Sequence, residues 1–412
     1  YPGGGGRLMA DFAQSSCAAV QAQLERMGGI SSGDDTLGLE RIAALLDRLG
    51  RPQDRLPPVL HVAGTNGKGS TCAFLRAGIE AAGLSAHVFI SPHLVRYNER
   101  IRIGGQLIDD DALAALLAEV IDANDGIGGS FFEVTTAAAL LAFARVPADA
   151  CILEVGLGGR LDASNVVDRP AACGIASIGI DHQHYLGHSL AEIAREKAGI
   201  AKAGVPLIVL AQVSEALAAI EAMAAERGAP VLLEGRDWLP DASLRPTLPG
   251  AHQRRNANLA WQMILASGLP VSIDQFRSGL ASARWPARLQ QLAPGPLAAG
   301  RDVIVDGAHN VDAAAALALH LASDPRHLVL GMLANKDADE IVALLAPHAL
   351  SLTFVAVPDH ASHDPIKLAA RFGGRAGASL ADALAPLPSP ILVAGSLYLA
   401  GEALAANGEL PD

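Results

Sequence analysis

The sequence predicts an α/β protein in two parts, an N-terminal parallel-rich sheet with flanking helices and a smaller α/β part behind it. Short apolar runs alternate with stretches of helical periodicity along almost the whole chain, which is the rhythm of strand–helix units in a parallel sheet. A glycine-rich turn, His61-Val62-Ala63-Gly64-Thr65-Asn66-Gly67-Lys68-Gly69-Ser70-Thr71, joins the apolar run from Pro58 to a helical pattern, as a phosphate-binding loop does. The 412 residues exceed one ordinary core, and the strand–helix rhythm restarts after a Pro- and Gly-rich stretch from Leu292 to Gly300. The expected layout is a P-loop-type sheet domain over residues 9–291, a hinge over 292–300 and a Rossmann-like α/β domain over 301–412.

Composition excludes several classes. With 50% hydrophobic and 18% charged residues the chain has ample material for cores, yet its apolar runs are cut well before the roughly twenty residues of a membrane span. No membrane association is expected. The formal charge is −12 and the 31 Lys and Arg are scattered, so the basic stripe of a nucleic-acid binder is missing. Cys17, Cys72, Cys151 and Cys173 stand far apart without Cys-x-x-Cys spacing, which argues against zinc and disulfides and for a reducing compartment. Tyr1 to Leu8, with its run of glycines, reads as a cloning remnant before a natural start at Met9. With no charged-then-apolar leader, a cytoplasmic protein is expected.

Apolar residues at helical spacing from Leu37 to Leu49 predict a helix ending at Gly50. In the loop that follows, Gly64, Gly67 and Gly69 let backbone N–H groups turn inward around Thr65 and Asn66. Lys68 adds a mobile positive charge, and Ser70 and Thr71 offer hydroxyls to a phosphate or its magnesium. The helix from Thr71 to Ala82 aims its positive end at the same place. The spacing is not that of the common phosphate loop: only Thr65 and Asn66 precede Gly67-Lys68, and Gly69 separates the lysine from Ser70.

Ala86 to Ile90 reads as a strand running into a polar loop, Ser91-Pro92-His93-Leu94-Val95-Arg96-Tyr97-Asn98-Glu99-Arg100, with Ser91 at the edge where parallel sheets bind ligands. Asp109 to Asp122 reads as an acidic-capped helix, and Phe131-Phe132-Glu133 opens the next one. Glu154 lies in an apolar strand, Ala150 to Val155, ahead of the turn Gly156-Leu157-Gly158-Gly159-Arg160-Leu161-Asp162. A buried carboxylate there needs a cation, and magnesium on ATP phosphates is the natural one. The run Ala172 to Ile180 ends in Asp181-His182, followed by a helix through Glu196-Lys197-Ala198-Gly199-Ile200. Val205 to Ala211, a helix near Glu215 to Arg227, and Val231 to Leu233 continue the alternation. Asn256 lies at the start of another helix, where Asn is also a good cap. Trp285-Pro286-Ala287-Arg288 precedes the expected hinge. Strands at Val303 to Val305, Leu328 to Leu330, Leu352 to Val357 and Ile391 to Val393 define the last domain, with Asp306-Gly307-Ala308-His309-Asn310 after the first.

Gly-Thr-Asn-Gly-Lys-Gly-Ser resembles the ATP loop of the folate branch of the Mur ligase superfamily, folylpolyglutamate synthase and dihydrofolate synthase. Ser-Pro-His-Leu, Glu-Val-Gly-Leu-Gly-Gly-Arg-Leu-Asp, Asp-His-x-x-x-Leu-Gly with Glu-Lys-Ala-Gly-Ile, and Asp-x-Ala-His-Asn resemble further blocks of that family in the same order. The resemblance implies Ser91, Glu154 and His182 as metal ligands for two magnesium ions, and Lys197 as a lysine that carbon dioxide carbamylates. It places Asn256, Arg288 and Asp306 on ATP. Phe131, Phe132, Glu133, Leu161 and Asp162 fall beside the pteroate, and His309 and Asn310 face the glutamate cleft. Ala287 departs from the family's glycine in the Pro-Gly-Arg block, and Ala334 from an often charged position.

The implied reaction is a ligation. ATP phosphorylates the substrate carboxylate, the amine of L-glutamate attacks the acyl phosphate, and an amide, ADP and phosphate result. The substrates implied are 7,8-dihydropteroate, tetrahydrofolate and its polyglutamates, with Mg2+ and a monovalent cation such as K+ as cofactors and a monomer as the working form. The alternatives are a monofunctional folylpolyglutamate synthase, a cell-wall Mur ligase, for whose N-terminal domain the residues before the loop leave no room, and a nucleotide-binding protein without ligase activity.

Overall fold

Strands buried on both faces read as continuous apolar runs, and the computed structural model, which describes residues 13–30 and 37–411, is built from them. The expected remnant over Tyr1 to Leu8 and the start at Met9 lie outside the described residues. Strands β1 (Val59–Ala63), β2 (Ala86–Phe89), β3 (Ile101–Ile103), β4 (Gln106–Leu107), β5 (Ala150–Glu154), β6 (Ala172–Ile175), β7 (Leu207–Val209) and β8 (Val231–Leu233) form one sheet. Their order is β4-β3-β2-β5-β1-β6-β7-β8, parallel from β2 to β8, with an antiparallel edge at β3 and β4. β1, β5 and β6 are buried along their whole length because helices cover both faces.

The helices of this part are α1 (Ala18–Ile30), α2 (Glu40–Arg48), α3 (Lys68–Ala81), α4 (Asp110–Ala123), α5 (Phe131–Arg145), α6 (Gln183–Leu186), α7 (Leu190–Ala198), α8 (Ser214–Arg227), α9 (Ala251–Ser267) and α10 (Ile273–Ser282). One apolar cluster packs α1, α2, α4 and α5 on the sheet through Leu24, Leu45, Leu117, Phe143, Phe89 and Leu153. A second joins α7 and α8 to β6 and β7 through Ile193, Ile220, Ile175 and Val209. Among the described residues no helix is long and apolar enough to cross a membrane.

The second sheet holds β9 (Gln290–Gln291), β10 (Val303–Val305), β11 (Arg326–Leu330), β12 (Ala349–Phe354), β13 (Arg375–Ala376) and β14 (Ile391–Ala394) in the order β13-β12-β11-β14-β10-β9. It is parallel except for β9, which runs antiparallel to β10. Helices α11 (Val311–Leu321), α12 (Ala338–Leu345), α13 (Pro365–Phe372), α14 (Leu380–Leu384) and α15 (Leu397–Ala406) complete this part, whose core includes Leu317, Leu330, Ile341, Phe354 and Leu392.

Three boundaries differ from expectation. The chain divides after Arg284, with Trp285 onward and Leu248–His252 in the second compact unit and the rest in the first. The stretch 292–300, expected as the hinge, therefore lies inside the second unit. Leu292 and Leu297 are buried, the Leu292 N–H donates to Val303 O, and Gly295 packs against Asn407 within the second unit. The helix after the phosphate loop begins at Lys68 rather than Thr71. The run expected to Ile180 leaves the sheet after Ile175, because its continuation is hydrogen-bonded to the loop itself.

Candidate active site

The loop after β1 folds as it does because two glycines take conformations that side chains resist. Gly64 has φ 150° and Gly67 has φ 92°. A Cβ on Gly67 would also lie 2.5 Å from Asn256 Oδ1, so Asn256, which is 4% exposed, packs directly beneath the turn. The N–H groups of Thr65 and Asn66 donate to Ser177 O at 2.8 and 3.2 Å, and Thr65 Oγ1 donates to Gly179 O at 2.9 Å. Those two N–H groups anchor the loop to the chain beyond β6 rather than facing an anion, which corrects the expectation that all of them turn inward. The donors left for a phosphate are at the start of α3, where no side chain caps the helix and Lys68, Gly69 and Ser70 carry the first N–H groups. Lys68 Nζ folds back onto Gly64 O at 3.1 Å and Thr65 O at 3.3 Å, and Ser70 is buried.

Sheet register brings the other candidates to the same edge. Glu154, the last residue of β5, pairs with Val62 of β1, and Phe89 of β2 pairs with Leu153 of β5. The segments after β1, β2, β5 and β6, which carry Lys68, Ser91, Glu154 and His182, thus leave the carboxyl ends of four neighbouring strands. Glu154 is 5% exposed. Cys72, in the first turns of α3, has its thiol pushed well up by burial and then by Glu154, with Lys68 opposing, so the carboxylate and the ammonium flank one buried corner. His182 is exposed, in a left-handed conformation with φ 52°, and its N–H donates to Asp181 Oδ1 at 2.8 Å.

A divalent ion fits this donor set in one way. Among the described residues no three or more His, Cys, Asp or Glu side chains converge. An all-protein cage is absent there, and the few oxygen and nitrogen donors present suit magnesium, which is usually shared between one or two protein ligands and nucleotide phosphates.

Lys197 is 4% exposed on the last turn of α7, and its Nζ donates to Gly64 O at 3.0 Å, the carbonyl that Lys68 also contacts. Burial first, and the nearby Lys68 charge second, pull its ammonium down to about 7, against the opposing pull of Asp181 and Asp162. Near neutral pH a large share of Lys197 is free amine. The glycine turn docks on the same helix end: Arg160 N–H donates to Glu196 O at 2.8 Å, Arg160 pairs with Glu196, and Asn165 Nδ2 donates to Gly199 O at 3.2 Å.

Several residues expected on the pteroate have structural duties. Phe131 is 7% exposed in the core, edge-on to Tyr97 at 6.0 Å, so it is no aromatic wall. Phe132 is half-buried with its ring on Gly156, and remains available. Glu133 Oε2 accepts from Ser130 N at 2.7 Å in a capping box and pairs with Arg41 at 2.9 Å, while the buried Oε1 has no hydrogen-bond partner. Asp162 is buried and its carboxyl is raised by desolvation. It accepts from Leu157 N at 2.8 Å and from Ser164, whose hydroxyl also meets His61 Nε2 at 2.9 Å. It shapes the turn, and Leu161 beside it is half-buried.

In the second unit Asp306 accepts from Leu289 N and Ala308 N, both at 2.8 Å. Arg288 is half-buried with Nη1 on Ala287 O at 2.8 Å, His309 Nδ1 meets Gly307 O at 2.8 Å, and Asn310 caps α11 through Ala313 N. Asn310 is 4% exposed, and its side-chain oxygen accepts from Ala313 N at 3.0 Å. Arg41 and Asn165 went unnoticed in the sequence. The signal for Arg41 was a lone arginine in the first turn of an otherwise apolar-periodic helix.

Residues 288–390 match the model of the Mur ligase, glutamate ligase domain. The dihydrofolate synthase/folylpolyglutamate synthase of Escherichia coli (strain K12) is 39% identical over 351 residues, spanning 80% of each chain. A solved structure described as E. coli FolC in complex with DHPP and ADP has a TM-score of 0.84 and 33% identity, covering 95% of this chain and 98% of that one. Another, a bifunctional folylpolyglutamate synthase/dihydrofolate synthase with Mn, AMPPNP and L-glutamate bound, has a TM-score of 0.84 and 32% identity over 94% and 97%. A probable bifunctional folylpolyglutamate synthase/dihydropteroate synthase of Halobacterium salinarum is 34% identical, but this chain spans only 49% of its length. Fold and site together define an ATP-dependent ligase of the Mur type. Within that class the chain belongs to the dihydrofolate synthase/folylpolyglutamate synthase family.

Proposed function

We propose that this chain adds L-glutamate to 7,8-dihydropteroate and to tetrahydrofolate, forming an amide at the expense of ATP through an acyl phosphate. The observation that carries the reading is the convergence on one sheet edge of an uncapped helix start, Lys68 and the buried Glu154. A carboxylate is a poor electrophile and phosphorylation gives it a leaving group. Lys68 and the first N–H groups of α3 would offset the charge that gathers as two anions approach. Glu154, with Ser91 and His182, would hold magnesium, which when bound supplies Lewis-acid stabilisation of the phosphoryl oxygens. Two ions, a supporting K+ and a monomer in the cytoplasm belong to the same proposal.

Lys197 is proposed as a carbamylation site. Its burial and the neighbouring Lys68 favour the neutral amine that carbon dioxide needs. Asn256 is proposed as a nucleotide contact, as are Arg288 and Asp306 of the second unit. Phe132, Leu161 and the open oxygen of Glu133 are proposed for the pteroate, and His309 for glutamate. Extension of polyglutamate chains is proposed on the same site.

The test is phosphate release from MgATP with L-glutamate, with 7,8-dihydropteroate or tetrahydrofolate as acceptor and products weighed by mass spectrometry. Extension of both supports two activities, extension of tetrahydrofolate alone makes the chain a folylpolyglutamate synthase, and extension of neither by folded protein overturns the folate reading.

A further inference from the structure

The turn that presents Arg288 is held by two residues without an assigned role. We infer that Gln290, backed by Glu409, is a positioning residue that sets the Arg288 guanidinium for nucleotide phosphate. This rests on the proposed nucleotide role of Arg288.

Arg288 lies between two residues in left-handed backbone conformations, Ala287 with φ 53° and Leu289 with φ 47°. Side chains with a Cβ disfavour that region, so the turn persists only where its surroundings enforce it. Gln290 Oε1 accepts from Ala287 N at 2.9 Å, and Gln290 Nε2 donates to Glu409 Oε2 at 2.9 Å. The carboxylate of Glu409 only accepts, so the amide orientation of Gln290 is dictated: its nitrogen faces Glu409 and its oxygen faces the turn. Glu409 is fixed in its own place, because Oε1 accepts from Ala293 N at 2.8 Å and from Asn407 Nδ2 at 2.7 Å. Asn407 is 5% exposed and is tied again to Ala298 N at 3.0 Å.

The opposite side is gripped as well. Gly307 N donates to Ala287 O at 2.9 Å, and Arg288 Nη1 donates to that same oxygen at 2.8 Å. Gln290 thus holds the N–H of Ala287 while Gly307 holds its C=O, and between them they fix the φ and ψ of the residue that launches Arg288. Without Gln290 the turn is free to relax toward right-handed geometry, which redirects the guanidinium.

The experiment uses the full chain and measures KM for ATP, kcat and melting temperature. Gln290→Ala should raise KM for ATP by roughly five- to tenfold, the effect of losing about one hydrogen bond's worth of positioning. Gln290→Glu should do the same, since it sets two carboxylates face to face. Combining Gln290→Glu with Glu409→Gln restores donor and acceptor in reversed order and should return KM close to wild type. In an Arg288→Ala background, Gln290→Ala should add nothing to KM for ATP. An unchanged KM in Gln290→Ala, or an undiminished increment on top of Arg288→Ala, overturns the inference even if melting temperature falls. An unchanged KM in Arg288→Ala alone overturns instead the nucleotide role of Arg288 on which the inference stands.

Discussion

Lys68 and Lys197 reach for one oxygen, the carbonyl of Gly64, and Lys197 holds its charge there at a cost. Because the Lys197 ammonium is drawn down to about 7 from its usual 10.5, the unfolded chain binds a proton between those values that the folded chain does not. Stability from this group is therefore complete above about 10.5 and lost as pH falls toward about 7. Wild-type protein kept free of carbon dioxide should gain on Lys197→Met by about 1.4 kcal/mol per pH unit across that interval. Denaturant melts of both proteins from pH 7 to 10 measure it, and a constant gap would contradict the burial argument. Lys68→Ala and Glu154→Ala should abolish ligation with far-ultraviolet circular dichroism unchanged. Near-normal turnover in folded Glu154→Ala would remove it from the metal site. Ala287, with φ 53° where the family resemblance has glycine, gives the opposite kind of prediction. Ala287→Gly should stabilise the protein by about 1 kcal/mol, read as a higher melting temperature, because the left-handed penalty outweighs the added freedom of glycine in the unfolded chain.

At the scale of elements, the parallel strands were legible because burial on both faces makes them near-continuous apolar runs, as in β14, in β1 with only His61 between its apolar residues, and in β5 up to Glu154. Strands β4 and β9, each only two residues long, were not, since so short a segment has no period to read. The glycine turns and the acid at the end of β5 were legible as features because they interrupt apolar runs, while packing alone shows that Gly67 also closes on Asn256 and Gly159 on the end of α7. Asp162, Asp306 and Asn310 were read as ligand residues, and their carboxyl and amide oxygens are engaged by backbone N–H groups. Asp and Asn serve caps and ligands with the same atoms, so residue type alone does not separate the duties. The join of the glycine turn to α7 is equally hidden, since it depends on packing. A Cβ on Gly159 would stand 2.7 Å from Lys197 O, a backbone atom that cannot swing away. Gly159→Ala should therefore displace the helix end that carries Lys197, lowering kcat together with melting temperature, whereas an alanine at Gly29 in α1, where nothing lies within reach, should leave kcat intact.

On the scale of the molecule, the sequence expects two α/β parts and the structure has them, with the compact units dividing after Arg284 rather than at 292–300. The stretch 292–300 looked like a linker because prolines and glycines mark irregular backbone, and they mark it equally inside a domain. The lines that meet at the site come from chain segments as far apart as Lys68 and Lys197, and no piece shorter than the β2-β5-β1-β6 block contains them together. On the proposed reading the nucleotide is in that sense a ligand of the folded sheet and of nothing less. Saturation at a hundred times the dissociation constant should add about 2.7 kcal/mol to unfolding. In a cell, the supply of ATP would then set how much of this chain survives as well as how fast it works.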